Sequence, residues 1–530
     1  MVEDGEVDPE SSSSAAPRVE GLTPESDDSR EDGPDSKEWE RPFPAAVLPL
    51  GTDEEWQLLR NLYARGFEDR PLDRCLEVAR INEAARAVIE TRYIDIDYRS
   101  EYTAYYSRAF SSYPDSTQRV HFFKSPDIEL GNLADLPENP GYLGYMVIRP
   151  RVEGPVCRTL LRPPSSVEHG VQAAITEEVF FFGQLLSVRG VPFIQQDSQL
   201  GRCAHAAAWI CHYSAYRRNE VNRRPIGYFS LSSNPSLATG RPFPSDGLTV
   251  SQVSDLLRLA ELPAKYYSLR RATDADRPSW WKPKVRNSVE ARVARICRRY
   301  LDSGLPILVT AQEVGKSGRR PQKHAFVVCG YLDLDSGSRH LIVNDDQRGP
   351  YIEVDSVKAG RSKIGASDFD WECILAPLPE KLWMSGEAAE RFGCDVLLKA
   401  ARKATVEAPE AQAVLSKYES GHIRIRTYAV RNNEFKREAR SRFSDDALLL
   451  SAYSYARLSK FVWVVEAIDT AAEDPNRPVI GEVIFDATSS STSPVVLATR
   501  VPGVISLRIG HNQTLSVKIG SMEFESGGAR

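Results

Sequence analysis

The sequence offers no run of about 18 apolar residues, the length a helix needs to cross a membrane, so no membrane span is expected. Its eight cysteines, at 75, 157, 203, 211, 297, 329, 373 and 394, make no CxxC pair and no regular spacing. That removes the usual grounds for a zinc ribbon or a disulfide framework and points to a reducing, cytoplasmic setting. The first residues lack the basic-then-apolar order of a secretion signal. There is no GxSxG or HExxH. Gly315-Lys316-Ser317 imitates the end of a phosphate-binding loop, but the leading glycine would have to stand where Thr310 does. Concentrated basic charge is missing too. The net charge is −6. Residues 1–40 hold 14 acidic and 3 basic residues, which leaves 64 basic against 59 acidic on the rest, an excess of +5. A nucleic-acid footprint needs far more, and clustered. No cofactor motif and no metal-ligand motif is found.

What is present is an ordinary globular composition over 530 residues, 42% hydrophobic and 26% charged. That length is room for about three domains at ~150 residues each. Residues 1–42 are acidic, rich in Ser, Pro and Gly and poor in apolar groups, a composition that favours disorder. Residues 43–170 read as a small α+β domain, 171–382 as the central domain, and 383–530 as an α+β accessory domain. In the first, Trp56, Leu59 and Tyr63 predict a helix over Asp53–Ala64, and a second helix is expected over Arg80–Ile89. Tyr93–Tyr98 and Tyr142–Ile148 read as strands. Asp95 and Asp97 alternate with Ile94 and Ile96, which predicts a solvated strand face.

The chemistry-bearing residues lie in the central segment. Val191-Pro192-Phe193-Ile194-Gln195-Gln196 runs into a loop holding Gly201, and Cys203 then opens an alanine-rich stretch of high helix propensity, to about Tyr216. A cysteine at a helix start feels the positive end of the helix dipole, which favours thiolate over thiol. A glutamine side chain just upstream, together with the Cys203 amide, can form a two-donor oxyanion hole. Gln196, Gln195 and Gln199 stand seven, eight and four residues before Cys203.

Downstream, Val289, Val293, Ile296 and Tyr300 predict a helix within Asn287–Ser303, stopped by Gly304. A strand Leu305–Gln312 follows, then a basic loop Glu313–Gln322 with Lys316, Arg319 and Arg320. His324–Tyr331 and His340–Asp345 flank the turn Asp335–Ser338, so a hairpin about that turn brings His324 beside Asp345. A carboxylate so placed orients an imidazole and stabilises its protonated form. The pair His205/His212 and the pair Cys203/Cys211 do not share one helix face, as tetrahedral zinc binding would require.

Taken in order, Val191–Gln196, Gly201-Arg202-Cys203, His324–Tyr331 and Ile342–Asp345 resemble the papain-like cysteine peptidases, and within them the double-glycine leader peptidase-like branch. The resemblance covers roughly residues 185–350. It implies a helix bearing the cysteine packed on an antiparallel sheet bearing histidine and aspartate. It implies Cys203 as nucleophile, His324 as base, Asp345 as its orienting carboxylate and Gln196 as oxyanion donor, with no cofactor or metal. Ala204 stands where family members often carry glycine, and Asp346 beside Asp345 could share its role. The expected activity is hydrolysis of peptide or isopeptide bonds in a protein or peptide substrate. A transglutaminase-like acyl transferase with the same triad, or a catalytically silent binding protein of the same fold, are the alternatives.

Overall fold

The computed structural model describes residues 45–64, 66–151, 153–197, 199–232, 247–269, 289–314, 322–332, 340–355, 361–364, 367–471, 478–510 and 513–519. The acidic segment 1–42, the basic residues Lys316, Arg319 and Arg320, the turn Asp335–Ser338 and the expected helix start at Asn287 lie outside them. Among the described residues the class is α+β, with three antiparallel sheets and a separate hairpin.

The first sheet is a meander of β1 (Ala45–Pro49), β2 (Arg86–Tyr93), β3 (Thr117–Phe123), β4 (Tyr142–Ile148) and β5 (Val156–Leu161), in that spatial order. Helices α1 (Asp53–Ala64) and α2 (Arg70–Ile81) join β1 to β2. α1 buries Trp56, Leu59 and Tyr63, as their spacing predicts. The helix expected over Arg80–Ile89 is instead α2, ten residues earlier at its start. Asp69 caps it by accepting from Leu72 N at 2.9 Å, and Pro71 sits in its first turn. These are strong start signals. The β-branched Val88 and Ile89 pair with β1 as a strand.

The strand expected over Tyr93–Tyr98 also breaks. Asp95 Oδ1 accepts from the amides of Asp97 and Tyr98 and opens α3 (Ile96–Ala104). Asp95 and Asp97 are therefore not a solvated face: both are buried and ion-paired, Asp95 with Arg158 and Asp97 with Arg223. A local alternation of apolar and acidic residues reveals only the period, and here capping and long-range arginines decide the outcome.

After the hairpin β6 (Ile175–Phe181) and β7 (Gln184–Gly190) comes α4 (Cys203–Arg217), then α5 (Ile226–Ser232) and α6 (Val250–Leu259). The central sheet follows: β8 (Ala264–Ser268), then α7 (Val289–Leu301), then β9 (Ile307–Glu313), β10 (Lys323–Leu332), β11 (His340–Asp345), β12 (Gly349–Asp355), β13 (Arg361–Ile364) and β14 (Ser367–Pro377). Its order is β12-β11-β10-β9-β14-β13, with β8 also paired to β14. Gly304, at φ +68°, ends α7 as expected, a left-handed turn that a side chain resists. Helix α4 packs on β10.

The last region begins with α8 (Gly386–Ala404) and α9 (Gln412–Glu419). A meander of β15 (Ile423–Arg431), β16 (Phe461–Asp469), β17 (Val479–Asp486), β18 (Val496–Val501), β19 (Val504–Arg508) and β20 (Thr514–Lys518) completes it, with α10 (Asn432–Arg442) and α11 (Ala447–Tyr455) between β15 and β16. One continuous apolar core reaches through all three sheets, from Ala46 through Trp209 and Val327 to Trp463 and Val501. No helix among the described residues is long and apolar enough to cross a membrane.

Candidate active site

α4 is nearly all buried, which suits its alanine-rich sequence, and Cys203 at its first position stays partly exposed. Two long side chains fix its orientation from below. Trp209 Nε1 donates to Asp97 Oδ1 at 2.9 Å, and the Tyr213 hydroxyl donates to Glu177 Oε2 at 2.9 Å. The amides of Cys203 and Ala204, in the unpaired first turn of the helix, have no acceptor among the described residues. They remain available to an anion at the thiol.

The loop before Cys203 is held by a residue the sequence reading passed over. Asp197 Oδ1 accepts from the amides of Gln199 at 3.2 Å, Leu200 at 3.0 Å and Gly201 at 2.8 Å. Its other oxygen accepts from the Tyr106 hydroxyl at 2.6 Å, and Arg151 donates to the Asp197 carbonyl at 3.2 Å. A single buried carboxylate thus sets the path of the chain into α4. His205 does not act as a ligand: its Nδ1 accepts from Arg202 N at 3.1 Å, closing the helix start, and burial pulls its pKa down to about 4.

Of the three candidate glutamines, Gln195 is set apart by its side-chain bonds. It commits its oxygen and one of its two N–H groups to structure, accepting from Val156 N at 3.0 Å and donating to Asp69 Oδ2 at 2.9 Å. Its amide is thereby held between Val156 and Asp69. Gln199 is tied through its backbone to Asp197. Gln196 is half-buried, and its side chain has no hydrogen-bond partner among the described residues.

His324 and Asp345 come together on adjacent strands. His324 Nε2 lies 3.0 Å from Asp345 Oδ2, both buried. The strand register pairs Val327 with Asn344 and carries a bulge between Val328 and Gly330. Asp345 is therefore diagonal to His324 rather than directly across, still within side-chain reach. The Cys203 side chain is coupled to the same imidazole and favours its protonated form. With Nε2 turned to Asp345, the ring nitrogen left for sulfur is Nδ1. Burial alone would lower the pKa of His324, but the charge and hydrogen bond of Asp345, the coupling to Cys203 and the charge of Asp346 outweigh it and raise it well above the ordinary value. Burial likewise pushes Asp345 up, and His324, Arg348 and the Gln347 amide overcome it, so the carboxyl sits below its usual range.

Two further residues complete the group. Arg348 Nη1 donates to Asp345 Oδ2 at 3.1 Å while its guanidinium lies 5.0 Å over the Phe369 ring. Asp346 is buried, its Oδ1 is 4.0 Å from His324 Nε2, and neither carboxylate oxygen has a hydrogen-bond partner. Desolvation, with the like charge of Asp345 adding to it, raises its pKa to about 7. The adjacent acidic pair was visible in the sequence. Arg348, three residues on, was the overlooked signal. His324, Asp345 and Asp346 are also the one group of possible metal-ligand atoms among the described residues, all within 4.8 Å of one another. The donor set fits a metal poorly: Asp345 Oδ2 is already shared between His324 and the Arg348 cation, which a metal ion would have to displace.

No protein-family model and no curated protein matches the chain.

Proposed function

We propose that the chain is a cysteine peptidase, hydrolysing peptide or isopeptide bonds through Cys203, His324 and Asp345, on a papain-like central domain. The observation that carries this reading is the buried hydrogen bond between His324 and Asp345, on β10 and β11, with the helix-start thiol of Cys203 on α4 coupled to the same imidazole. Each part has a chemical task. Asp345, held ionised by Arg348, keeps His324 oriented and basic. His324 takes the thiol proton, and the positive end of α4 stabilises the thiolate.

The Cys203 sulfur then attacks the scissile carbonyl carbon. The oxygen that becomes negative is met by the free Cys203 amide and the uncommitted amide of Gln196. His324 returns its proton to the leaving amine as the C–N bond breaks, leaving a thioester. Water, deprotonated by His324, attacks that thioester, releases the acid and restores the thiol. All eight cysteines are free, which supports placing the protein in a reducing compartment such as the cytoplasm.

The test is labelling of the full chain with a cysteine-directed acyl probe at neutral pH, followed by mapping of the modified residue. Labelling confined to Cys203 and lost in His324→Ala supports the proposal. Inertness of Cys203, or equal labelling of His324→Ala, removes it and leaves a binding protein of the same fold.

A further inference from the structure

The end of α4 remote from Cys203 opens on a cavity of about 830 Å³, bounded by the α7–β9 turn, β7, β15 and α10. Arginines reach it from four elements: Arg189 on β7, Arg217 and Arg218 at the end of α4, Arg426 and Arg431 on β15, and Arg437 on α10. These six face four carboxylates, Glu220, Asp302, Glu434 and Glu438.

The charges do not cancel group by group. Arg426 is satisfied, 3.3 Å from both Asp302 and Glu466. Arg431 Nη2 donates to Asn219 O at 2.6 Å, but its Nε is buried without an acceptor, 4.0 Å from Glu220. Arg217 Nε is buried without an acceptor too, 3.9 Å from Glu177. Glu220 keeps one oxygen unpartnered, and desolvation lifts its carboxyl to about 7 despite Arg218 and Arg431. Arg218 donates to Ser303 O at 3.1 Å and fills the space over Gly304, where a Cβ would lie 1.9 Å from its Nη2. Buried donors left open are costly. The arginines lining the cavity outnumber its carboxylates, which suits an occupant with several acceptor oxygens.

We propose that this cavity binds a small phosphorylated molecule, whose phosphoryl oxygens accept from the partly buried Arg217 and Arg431 and face the exposed Arg437. A phosphoryl group presents oxygens in the fork spacing that guanidinium groups match, which a halide does not. The volume falls within the range of small-ligand sites. Bound there, the ligand ties β15 and α10 to the base of the helix that carries Cys203. The inference rests on this cavity alone, independent of any reaction at the thiol.

Calorimetric titration of the full chain with sodium diphosphate, against KCl of matched ionic strength, tests it. Saturable one-site binding is expected, weakened at least ~10-fold by Arg217→Gln or by Arg431→Gln, the loss that follows from removing a charge-assisted bond. Binding that survives both substitutions puts the anion elsewhere and overturns the proposal. Absence of heat beyond the KCl control overturns it as well, and the cavity is then filled by water. Should those two variants unfold, the exposed Arg437→Gln decides: weaker diphosphate binding supports the site, and unchanged binding rejects it.

Discussion

Two buried polar clusters flank α4, and they are put together differently. Around Arg158 each guanidinium nitrogen is answered: Nε donates to Asp95 at 3.0 Å, one terminal nitrogen to the Tyr145 hydroxyl at 2.7 Å, the other to the Tyr93 hydroxyl at 2.9 Å. Glu177 accepts from Tyr145 at 3.0 Å and Tyr213 at 2.9 Å. Around His324 the hydrogen bonds converge on Asp345, and Asp346 beside it has both oxygens unanswered. A closed network in a low-dielectric interior specifies a fold. An open one, with a carboxyl near neutrality, holds a spare proton site, the arrangement expected where chemistry occurs.

The sharpest break of that comparison substitutes one residue in each. Cys203→Ala should abolish turnover and leave the melting temperature within about 2 °C of wild type, because the thiol is partly exposed and only borders the core. His324→Ala should be nearly as severe, and the double variant no worse than Cys203→Ala, since the residues act as a unit. Arg158→Met should instead leave Asp95 and Glu177 buried and uncompensated, costing ~3–5 kcal/mol of stability. Denaturant unfolding and an activity assay on these four variants decide. A stable Arg158→Met, or an unfolded Cys203→Ala, would reverse the roles assigned to the two clusters.

Below that in size come the residues that shape the oxyanion site. Gln196→Ala should lower kcat by roughly 10²-fold with little change in KM, the signature of a contact made in the transition state. Gln195→Ala should act on stability, by ~1–3 kcal/mol, because it strands the Val156 amide and Asp69. Asp197→Ala frees the amides of residues 199–201 and should slow alkylation of Cys203 by ~10-fold or more through loss of loop geometry. If Gln195→Ala, rather than Gln196→Ala, gives the kinetic loss with stability intact, the oxyanion assignment is wrong by one residue.

These cases also show what local sequence could and could not reveal. Cys203 announces itself by the alanine-rich helix it opens. His324 and Asp345 stand on strong strand patterns either side of a turn, so their meeting was legible even though the bulge in β10 shifts the register. The orphaned state of Asp346, the Arg348 clamp and the Asp197 anchor depend on which donors arrive from elsewhere in the fold. The same holds for Asp95 and Asp97, whose arginine partners lie 63 and 126 residues away in sequence. The start of α2 is a different case: Asp69 and Pro71 signal it locally.

The finest test of the difference between the clusters concerns Asp346, where the expected effect is smallest and depends on pH. Its pKa near 7 means the carboxyl is neutral at pH 6 and ionised at pH 8. Asp346→Asn imitates the neutral form, so its kcat/KM at pH 6 should match wild type within about threefold. At pH 8 wild type gains a negative charge 4.0 Å from the imidazole, partly offset by Arg348, and holds the imidazolium better than the variant does. The ratio of wild type to variant should therefore rise with pH, by ~3- to 10-fold between 6 and 8. Stability carries the opposite sign. A carboxyl whose pKa is raised on folding binds its proton more tightly in the native state. Its contribution is then lost as pH climbs from the unfolded value near ~4 to about 7, and is flat above. Asp346→Asn should remove that decline, so the variant gains on wild type in denaturant unfolding as pH rises from 4 to 7. A ratio of activities that is constant across pH, with parallel stability curves, would falsify the proton-holding role and make Asp346 a buried group of the same kind as Asp95.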